Sequence, residues 1–378
     1  MSFKVITKSS NTKARLGLLT TNHGVIKTPA FFPVATQAAL KGLVPKDLDE
    51  IGISGLLVNA YHLSLRPGIE VIERMGGLHK FMGFYGPIIT DSGGYQVFSL
   101  ARLRKIKDSG VEFQSHIDGS LKFFSPAEVL KIQLSLGSDI VVPLDECIKL
   151  PAEKDQAFVA TKRTIHWAKI SKEIFDREKK DGTLFLGIIQ GATYFDLRDW
   201  CLEELLKLDV DGIAIGGLSV GESLNERYKI ISFIDNKLDK NYLRYFMGYG
   251  KPEDILEAVG CGMDIFDCVV PTRFARTGTT FTNQGKIVIR NAIFSNDSRP
   301  LDEACSCYVC KNFSRAYLRH LINSKEVIGA QLLTYHNIWW YNRFIDQMQE
   351  AIKQDRFAEF KEEFLSQFKE DADENSKS

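Results

Sequence analysis

Acidic and amide side chains stand at the ends of several short apolar runs in this sequence. In chain order they are Asp91, Asp145, Gln190 and Asp267. If those runs are parallel strands of one sheet, their carboxyl ends meet at one edge and the side chains share one site. Two carboxylates at such an edge can divide the work of glycosidic chemistry, because one attacks an anomeric carbon while the other moves a proton. The alternative for any single aspartate is that it caps the helix that follows.

Asp91 and Asp267 are the strongest candidates for that chemistry. Asp91 precedes Ser92-Gly93-Gly94-Tyr95, where two glycines let a planar ligand approach the backbone and the tyrosine can stack on it. Asp267 follows the largely apolar run Met263–Phe266. Burial there would raise the basicity of its carboxylate, and a nearby cation would lower it.

The neighbouring strand ends offer groups suited to a purine. The carboxylate of Asp145 can accept hydrogen bonds from N–H groups of a base. The amide of Gln190 and the backbone of Gly216-Gly217-Leu218 can serve the carbonyl of the same base. Each signal is weak alone, but together they predict a pocket for a base flipped out of a nucleic acid.

A second set of residues has the spacing of metal ligands. Cys305, Cys307 and Cys310 form a C-x-C-x2-C motif, and His336 lies 26 positions further on. Three thiolates and one imidazole make a closed tetrahedral set that suits structural zinc. The alternative is that the cysteines are buried and reduced, and that the histidine, taken to precede an amphipathic helix, is capped or solvated.

The composition limits the classes of protein that fit. The chain has 378 residues with 48 basic and 48 acidic side chains, so it has no overall basic field for nucleic acid. A local basic patch remains compatible with that balance, and an ordinary solvated surface is the alternative; its members would be Lys251, Arg273, Arg276, Lys286, Arg290, Lys311, Arg315 and Arg319. The chain shows neither a membrane-spanning run nor the apolar core of a signal peptide, so we expect a cytoplasmic protein.

The elements that must position these residues alternate between strands and helices. Eight apolar runs predict strands: Phe31–Val34, Gly55–Asn59, Pro87–Thr90, Ile140–Leu144, Leu184–Ile189, Gly212–Ile215, Tyr245–Gly248 and Met263–Val269. Amphipathic stretches between them predict helices, among them Pro126–Leu136, Ala152–Lys180, Asp196–Leu208, Leu224–Asp235 and Pro252–Val259. The alternation also fits an open doubly wound sheet, but polar residues at so many strand ends favour an α/β fold of the (β/α)8 barrel type.

The pattern changes near residue 270. We expect a catalytic barrel over residues 1–270 and, over residues 271–368, a zinc-binding subdomain with C-terminal helices packed on the barrel. Within the second part, strand-like pieces (Thr279–Thr282 and Ile287–Ile289) precede the cysteines, and helices are predicted near Phe313–Ile322 and Ile338–Phe368. The charged residues 369–378 predict a disordered tail.

Several long motifs resemble one known family. They are Asp91-Ser92-Gly93-Gly94-Tyr95-Gln96, Leu144-Asp145-Glu146-Cys147, Gly216-Gly217-Leu218-Ser219-Val220-Gly221-Glu222, Phe266-Asp267-Cys268-Val269 with Pro271-Thr272-Arg273, and Tyr61-His62-Leu63 with Leu65-Arg66-Pro67-Gly68. The sequence resembles queuine tRNA-ribosyltransferase, the tRNA-guanine transglycosylase, in its bacterial type, from about Phe3 to Phe368. The resemblance implies a (β/α)8 barrel with a zinc-bearing insertion, which exchanges the wobble guanine of certain tRNAs for a 7-deazaguanine. It also implies a homodimer.

The resemblance implies roles for individual residues. Asp267 would be the nucleophile that forms a covalent intermediate with the ribose, and Asp91 would be the general acid and base. The base would be recognised by Asp145, Gln190, Gly217 and Leu218 and held between Tyr95 and Met247. The tRNA would contact Lys251, Arg273 and Arg276, with Asn59 at the ribose end. One structural Zn²⁺ per subunit would be bound by Cys305, Cys307, Cys310 and His336.

The choice of base follows from smaller details of the same resemblance. Cys147 and Val220 follow the bacterial pattern, which favours 7-aminomethyl-7-deazaguanine over the bulkier queuine. Departures from that pattern lie near three strand ends, at Ala35, Val58, Ala60, Ile148 and Lys149. The alternative functions are a noncatalytic tRNA-binding partner subunit, which the presence of both acids opposes, and a barrel glycoside hydrolase, which leaves the cysteines unexplained.

Overall fold

The computed structural model describes residues 2–100, 104–218 and 220–368. The strands in chain order are β1 (Phe3–Lys8), β2 (Arg15–Thr21), β3 (Gly24–Thr28), β4 (Ala30–Ala35), β5 (Leu56–Asn59), β6 (Ile88–Asp91), β7 (Arg104–Lys107), β8 (Gly110–Gln114), β9 (Leu121–Phe124), β10 (Ile140–Val141), β11 (Leu184–Ile189), β12 (Gly212–Ile215), β13 (Leu243–Phe246), β14 (Ile265–Cys268), β15 (Thr279–Thr282) and β16 (Gly285–Val288).

The helices surround and extend these strands. They are α1 (Pro45–Ile51), α2 (Ala60–Leu65), α3 (Ile69–Arg74), α4 (Leu78–Met82), α5 (Gly94–Leu100), α6 (Pro126–Leu136), α7 (Lys154–Glu178), α8 (Phe195–Leu206), α9 (Leu224–Lys237), α10 (Pro252–Gly260), α11 (Val270–Thr277), α12 (Tyr308–Asn312), α13 (Arg315–Asn323), α14 (Val327–Lys353) and α15 (Phe357–Gln367), with a 3₁₀ turn at Ala292–Phe294. In the described part of the chain, none of them is both long and apolar enough to cross a membrane.

Eight parallel strands close into a barrel, which confirms the predicted fold class. The order around the barrel is β4, β5, β6, β10, β11, β12, β13 and β14. Pairing of β14 with β4 closes the ring, with Ile265 opposite Ala30 and Asp267 opposite Phe32. Each predicted run overlaps one barrel strand, although β10 ends at Val141 because the Gln133 side chain accepts the N–H of Val142 at 3.1 Å and donates to its carbonyl at 2.7 Å in place of a strand partner.

The apolar character of the strands follows from burial on both faces. Side chains such as Phe32, Ile188 and Tyr245 pack together in the barrel interior, while alternate positions such as Phe185 and Ile213 pack against the outer helices. Parallel strands buried in this way present their carboxyl ends at one rim. The loops at that rim therefore hold the polar residues that the strands lead into.

Two small antiparallel sheets were not predicted. Strands β1–β3 precede the barrel, and β7–β9 are inserted between β6 and β10. The inserted sheet is hard to recognise from the sequence because three of the four side chains of Arg104–Lys107 are exposed and charged. Its inner side buries Phe113 and Phe124 against Tyr61 and Trp167.

The C-terminal helices differ from the prediction in their bounds. Helix α14 begins at Val327, well before the predicted Ile338, and the predicted continuous helix to Phe368 is broken after Lys353. The break contains Asp355 with φ of 54°, a left-handed conformation that ends a helix. The predicted tail, residues 369–378, lies outside the described residues.

Helix α14 joins the barrel to the C-terminal region. The hydroxyl of Tyr341 donates to the carbonyl oxygen of Gly250 at the barrel rim, 2.6 Å away. The Asn337 amide accepts from Thr280 in β15 at 2.7 Å and donates to the carbonyl of Pro271 at 2.9 Å. These buried contacts hold the β15–β16 hairpin against the barrel.

Candidate active site and metal cluster

Three carboxylates converge at the carboxyl-terminal rim of the barrel. Asp91 ends β6, Asp267 lies in β14, and Asp145 follows β10. Asp91 and Asp267 are only 9% and 6% exposed. Burial raises the pKa of Asp91, and the negative charges of Asp267 and Asp145 raise it further. The structure therefore brings the three predicted acids into one electrostatic environment.

Asp267 is held by neutral donors. The Tyr245 hydroxyl and the Gly248 N–H both donate to Oδ1 of Asp267, at 2.6 and 2.7 Å. Burial raises the pKa of Asp267, and these two hydrogen bonds act in the opposite direction. Both hydrogen bonds are made by Oδ1, so they fix the carboxylate plane without engaging Oδ2.

Asp91 is also held by neutral donors. The Asn59 side-chain amide donates to Oδ2 at 2.5 Å, and the Ala60 N–H donates to Oδ1 at 3.2 Å. Burial, followed by the negative charge of Asp267, raises the pKa of Asp91 to about 8. Asn59 is itself fixed, because its oxygen accepts the N–H of His62 as the N-cap of α2. The hydrogen bond from the Ala60 N–H acts in the opposite direction, but the net shift of the pKa favours the protonated acid at neutral pH.

Asp145, Gln190 and Gly217 lie next to one another on the same rim. The Gln190 amide donates to Oδ2 of Asp145 at 2.7 Å, and the Ser92 hydroxyl lies 3.3 Å from Oδ1. Gly217 has φ of +64°, and a Cβ there would stand 2.1 Å from the Gln190 side-chain oxygen. A larger residue there would strain the backbone and displace the Gln190 side chain. Leu218, the next residue, is buried.

The remaining predicted contacts lie around this group. Tyr95, in α5, is 55% exposed, and Met247, just after β13, is partly buried. Lys251 is the N-cap of α10, while Arg273 and Arg276 lie in α11 with exposed side chains. All five follow rim ends of barrel strands.

The wider basic set does not form one uniform surface. Arg315 is mostly buried and pairs with Asp297 at 3.2 Å, with a further hydrogen bond to the Leu301 carbonyl. The Arg319 guanidinium binds the carbonyl of Asn291. These two arginines hold the C-terminal region together, so the prediction of a common phosphate-binding face does not extend to them.

Comparison with known proteins decides the family. A sequence profile described as queuine tRNA-ribosyltransferase matches residues 9–370. The queuine tRNA-ribosyltransferase of Caldanaerobacter subterraneus subsp. tengcongensis is 52% identical over 368 residues, which cover 97% of this chain and 98% of that protein. This chain belongs to the queuine tRNA-ribosyltransferase family.

Two further members of the queuine tRNA-ribosyltransferase family support the same assignment. Those of Thermoanaerobacter sp. and Thermodesulfovibrio yellowstonii are 49% and 50% identical to this chain, and each alignment covers 97% of it. The alignments cover 98% and 94% of those two proteins. The resemblance seen in the motifs is confirmed, and with it the class of enzyme, a pentosyltransferase.

The four predicted metal ligands come together behind the β15–β16 hairpin. Sγ of Cys310, Cys307 and Cys305 lie 3.3, 3.4 and 3.8 Å from Nδ1 of His336. His336 lies inside α14 and is fully buried, which corrects the expectation that it precedes a helix. Its Nε2 donates to the Phe281 carbonyl at 2.7 Å, so Nδ1 is left as a ligand atom. The cluster could hold a metal ion.

A second group of possible ligands was missed by the sequence analysis. Nδ1 of His23 and Nε2 of His79 lie 2.8 and 3.3 Å from the two oxygens of Asp139, at the amino-terminal end of the barrel. Hydrogen bonds account for all three side chains, since Asp139 also accepts the Ile88 N–H and His79 lies 3.1 Å from the Gly86 carbonyl. No spacing in the sequence links these residues.

Proposed function

We propose that this chain exchanges the guanine at the wobble position of tRNA for a 7-deazaguanine through a covalent aspartyl-ribose intermediate. The observation that carries the proposal is the convergence of Asp91 and Asp267 at one buried rim, beside a set of groups suited to a purine edge. Family membership supplies the substrate class, since the relatives are named tRNA-ribosyltransferases.

The first transfer releases guanine. Oδ2 of Asp267 attacks the anomeric carbon of the ribose, and the electron pair of the glycosidic bond passes to the departing base. Asp91 donates its proton to that base, which is the form that its raised pKa of about 8 supports at neutral pH. Asp91 is left as a carboxylate, and the ribose is bound to Asp267 as an ester.

The second transfer reverses the roles. The incoming 7-deazaguanine gives the proton on its ring nitrogen to Asp91, and that nitrogen attacks the anomeric carbon. The bond to Asp267 breaks with its electron pair on the carboxylate, so both acids return to their starting forms. The low exposure of both acids keeps water from hydrolysing the ester between the two steps.

The base-recognition residues suit a guanine-like edge. Asp145 can accept hydrogen bonds from the N–H groups of the base, and the N–H groups of Gly217 and Leu218 and the Gln190 amide can donate to its carbonyl. Tyr95 and Met247 would cover the two faces of the ring. We propose 7-aminomethyl-7-deazaguanine as the preferred base, on the pattern at Cys147 and Val220.

We further propose that Lys251, Arg273 and Arg276 contact the anticodon loop. Their positions after β13 and β14 place three cationic side chains at the rim that holds the two acids. Asn59 serves the ribose end indirectly, through its hydrogen bond to Asp91.

Zn²⁺ is the metal that best suits the C-terminal cluster. A zinc ion bonds to sulfur at about 2.3 Å and to nitrogen at about 2.0–2.1 Å. At a tetrahedral angle, these two ligand atoms lie about 3.5 Å apart. The three measured separations, from 3.3 to 3.8 Å, bracket that value. The four protein ligands leave no open position, so the ion would stabilise the fold and take no part in the transfer.

Removal of one ligand tests the metal assignment. We expect wild type to contain one zinc per chain and Cys307→Ser to lose it, with a lower melting temperature, because binding energy at such a site is folding energy. Cys201→Ser is the control, since Cys201 is buried outside the cluster. A stable wild type without metal would contradict the assignment.

A homodimer is consistent with the surface beside the cluster. Tyr308 and Tyr317 are 54% and 44% exposed, and both rings contact Phe313. We propose that a second copy covers these rings, which light scattering tests as a mass of two chains.

Transfer of labelled guanine into tRNA tests the function. We expect incorporation into a tRNA with guanine at the wobble position and none into the same tRNA with adenine there. Binding of tRNA without incorporation by wild type would instead favour the noncatalytic partner subunit. Hydrolysis of a simple glycoside without tRNA would favour the hydrolase.

A further inference from the structure

A buried arginine stands directly behind the groups assigned to the base. Arg198 lies in α8 and is fully buried. Its Nε donates to the Ala192 carbonyl at 2.8 Å, and Nη1 donates to the carbonyls of Ile189 and Gly216 at 3.2 and 2.9 Å. Nη2 donates to the Gly217 carbonyl at 3.3 Å. One guanidinium thus ties together the rim ends of β11 and β12.

The two glycine carbonyls belong to peptide groups that matter for base binding. The Gly216 carbonyl shares its peptide group with the N–H of Gly217, and the Gly217 carbonyl shares its group with the N–H of Leu218. Neither N–H has a hydrogen-bond acceptor among the described residues. Both are therefore available to a ligand at the rim.

A cation on the carbonyl side of a peptide group strengthens the N–H on its other side. Chains of hydrogen bonds polarise one another in a low-dielectric site, and charge-assisted bonds are about twice as strong as neutral ones. Burial lowers the pKa of Arg198 only to about 10, so the guanidinium keeps its charge at neutral pH.

We propose that Arg198 is a positioning residue that acts on the base through the Gly216-Gly217-Leu218 backbone. It fixes that loop and strengthens the two N–H donors that face the carbonyl of the purine. As the glycosidic bond breaks, negative charge spreads over the departing base onto that carbonyl oxygen. Preorganised donors stabilise such charge most. No proton moves to or from Arg198. The inference rests on the proposed function, because it takes the purine carbonyl as the ligand.

Two variants separate charge from geometry. Arg198→Lys keeps a cation but cannot reach four carbonyls at once, whereas Arg198→Met removes the charge and keeps an unbranched apolar side chain. The binding constants of guanine and 2,6-diaminopurine, which carries an amino group in place of the carbonyl, are measured by competition for each protein. Because a ratio of two binding constants is independent of the active fraction, partial misfolding does not affect it.

We expect wild type to prefer guanine, and we expect Arg198→Met to lower that preference by roughly tenfold or more, as for loss of a charge-assisted hydrogen bond. Arg198→Lys should fall between them. The guanine-exchange kcat of Arg198→Met should also drop by roughly a hundredfold. The control is Arg15→Met, since Arg15 is a buried arginine bound to Asp264 at the other end of the barrel; it should lose stability and keep the preference.

An unchanged preference in Arg198→Met would overturn the inference, whether or not the affinities for both bases fall together. That result would leave the proposed function intact. The proposed function fails separately, if wild type incorporates no guanine into tRNA.

Discussion

Buried carboxylates have different kinds of hydrogen-bond partner at the two ends of the barrel. At the amino-terminal end, Asp264 lies between Nε of Arg15, at 2.8 Å, and the Arg244 N–H, at 2.8 Å. Asp139 at the same end receives the Ile88 N–H and two imidazoles. At the rim, the donors to Asp91 and Asp267 among the described residues are neutral, and the negative charge of Asp267 acts on Asp91.

The pKa values follow this difference in partners. Hydrogen bonds from His79, Ile88 and His23 hold the pKa of Asp139 below its usual value even though burial acts to raise it. Burial still raises the pKa of Asp264 to about 6, because Arg15 offsets only part of the cost. The pKa of Asp91, which burial and the negative charges of Asp267 and Asp145 all raise, reaches about 8. Burial alone therefore does not determine the pKa of a buried acid; the charge of its partners contributes as well.

The largest effect is expected from loss of the proposed nucleophile. Asp267→Asn should abolish the denaturation-resistant adduct with tRNA and lower guanine exchange by at least about 10⁴-fold, as for loss of other nucleophiles. The adduct is measured on denaturing gels, and tRNA binding by filter retention should persist. An adduct of undiminished yield would assign the nucleophile to another residue.

Loss of the proposed acid should cost less. Asp91→Asn should lower single-turnover release of guanine by roughly 10²–10⁴-fold. In wild type that release needs the protonated acid, so its rate should fall as the pH rises through about 8, the pKa of Asp91. The variant should show a low rate without that fall. A wild-type rate that rises through this range would mean that Asp91 acts first as a base.

Only part of the contrast between the two ends of the barrel could be predicted from the sequence. The barrel and its rim acids could be predicted because each acid follows an apolar run or lies near its end, as at Pro87–Thr90 before Asp91 and at Met263–Phe266 before Asp267. Which partner each acid receives could not be predicted, because partners come from distant parts of the chain. Arg15 and Asp264 are 249 residues apart, for example.

Two further features could not be predicted from the sequence, for related reasons. Tyr245 appears only as an apolar strand residue, yet its hydroxyl crosses to the neighbouring strand to bind Asp267. In the sequence, Arg198 is one of several charged residues in a predicted helix, and its burial becomes evident only in the folded barrel. The hydrophobic periodicity of a helix or strand indicates which of its faces is buried. It does not indicate that a polar side chain is buried together with its hydrogen-bond partners.

At the other end of the barrel, a substitution should affect stability and spare the chemistry. Asp264→Asn leaves the buried Arg15 guanidinium without its counter-charge, which should cost roughly 3–5 kcal/mol in the free energy of unfolding. The measurement is urea unfolding, with guanine exchange per mole of folded protein expected to match wild type. Exchange that falls while stability holds would show that the two ends are coupled.

The smallest effect is a change in how stability depends on pH. The folded state holds a proton on Asp91 up to about pH 8, whereas the unfolded chain releases it near its ordinary pKa of about 3.9. The folded state therefore binds more protons, and stability falls as the pH rises between these values, by up to about 1.4 kcal/mol per pH unit from this group.

The free energy of unfolding, measured with urea at pH 6, 7 and 8, should therefore fall less steeply with pH in Asp91→Asn than in wild type. The control Asp118→Asn, at an exposed acid whose pKa its hydrogen bonds lower to about 2, should keep the wild-type slope. Parallel curves for wild type and Asp91→Asn would show that Asp91 is ionised at neutral pH, and the contrast with the acids at the other end of the barrel would then disappear.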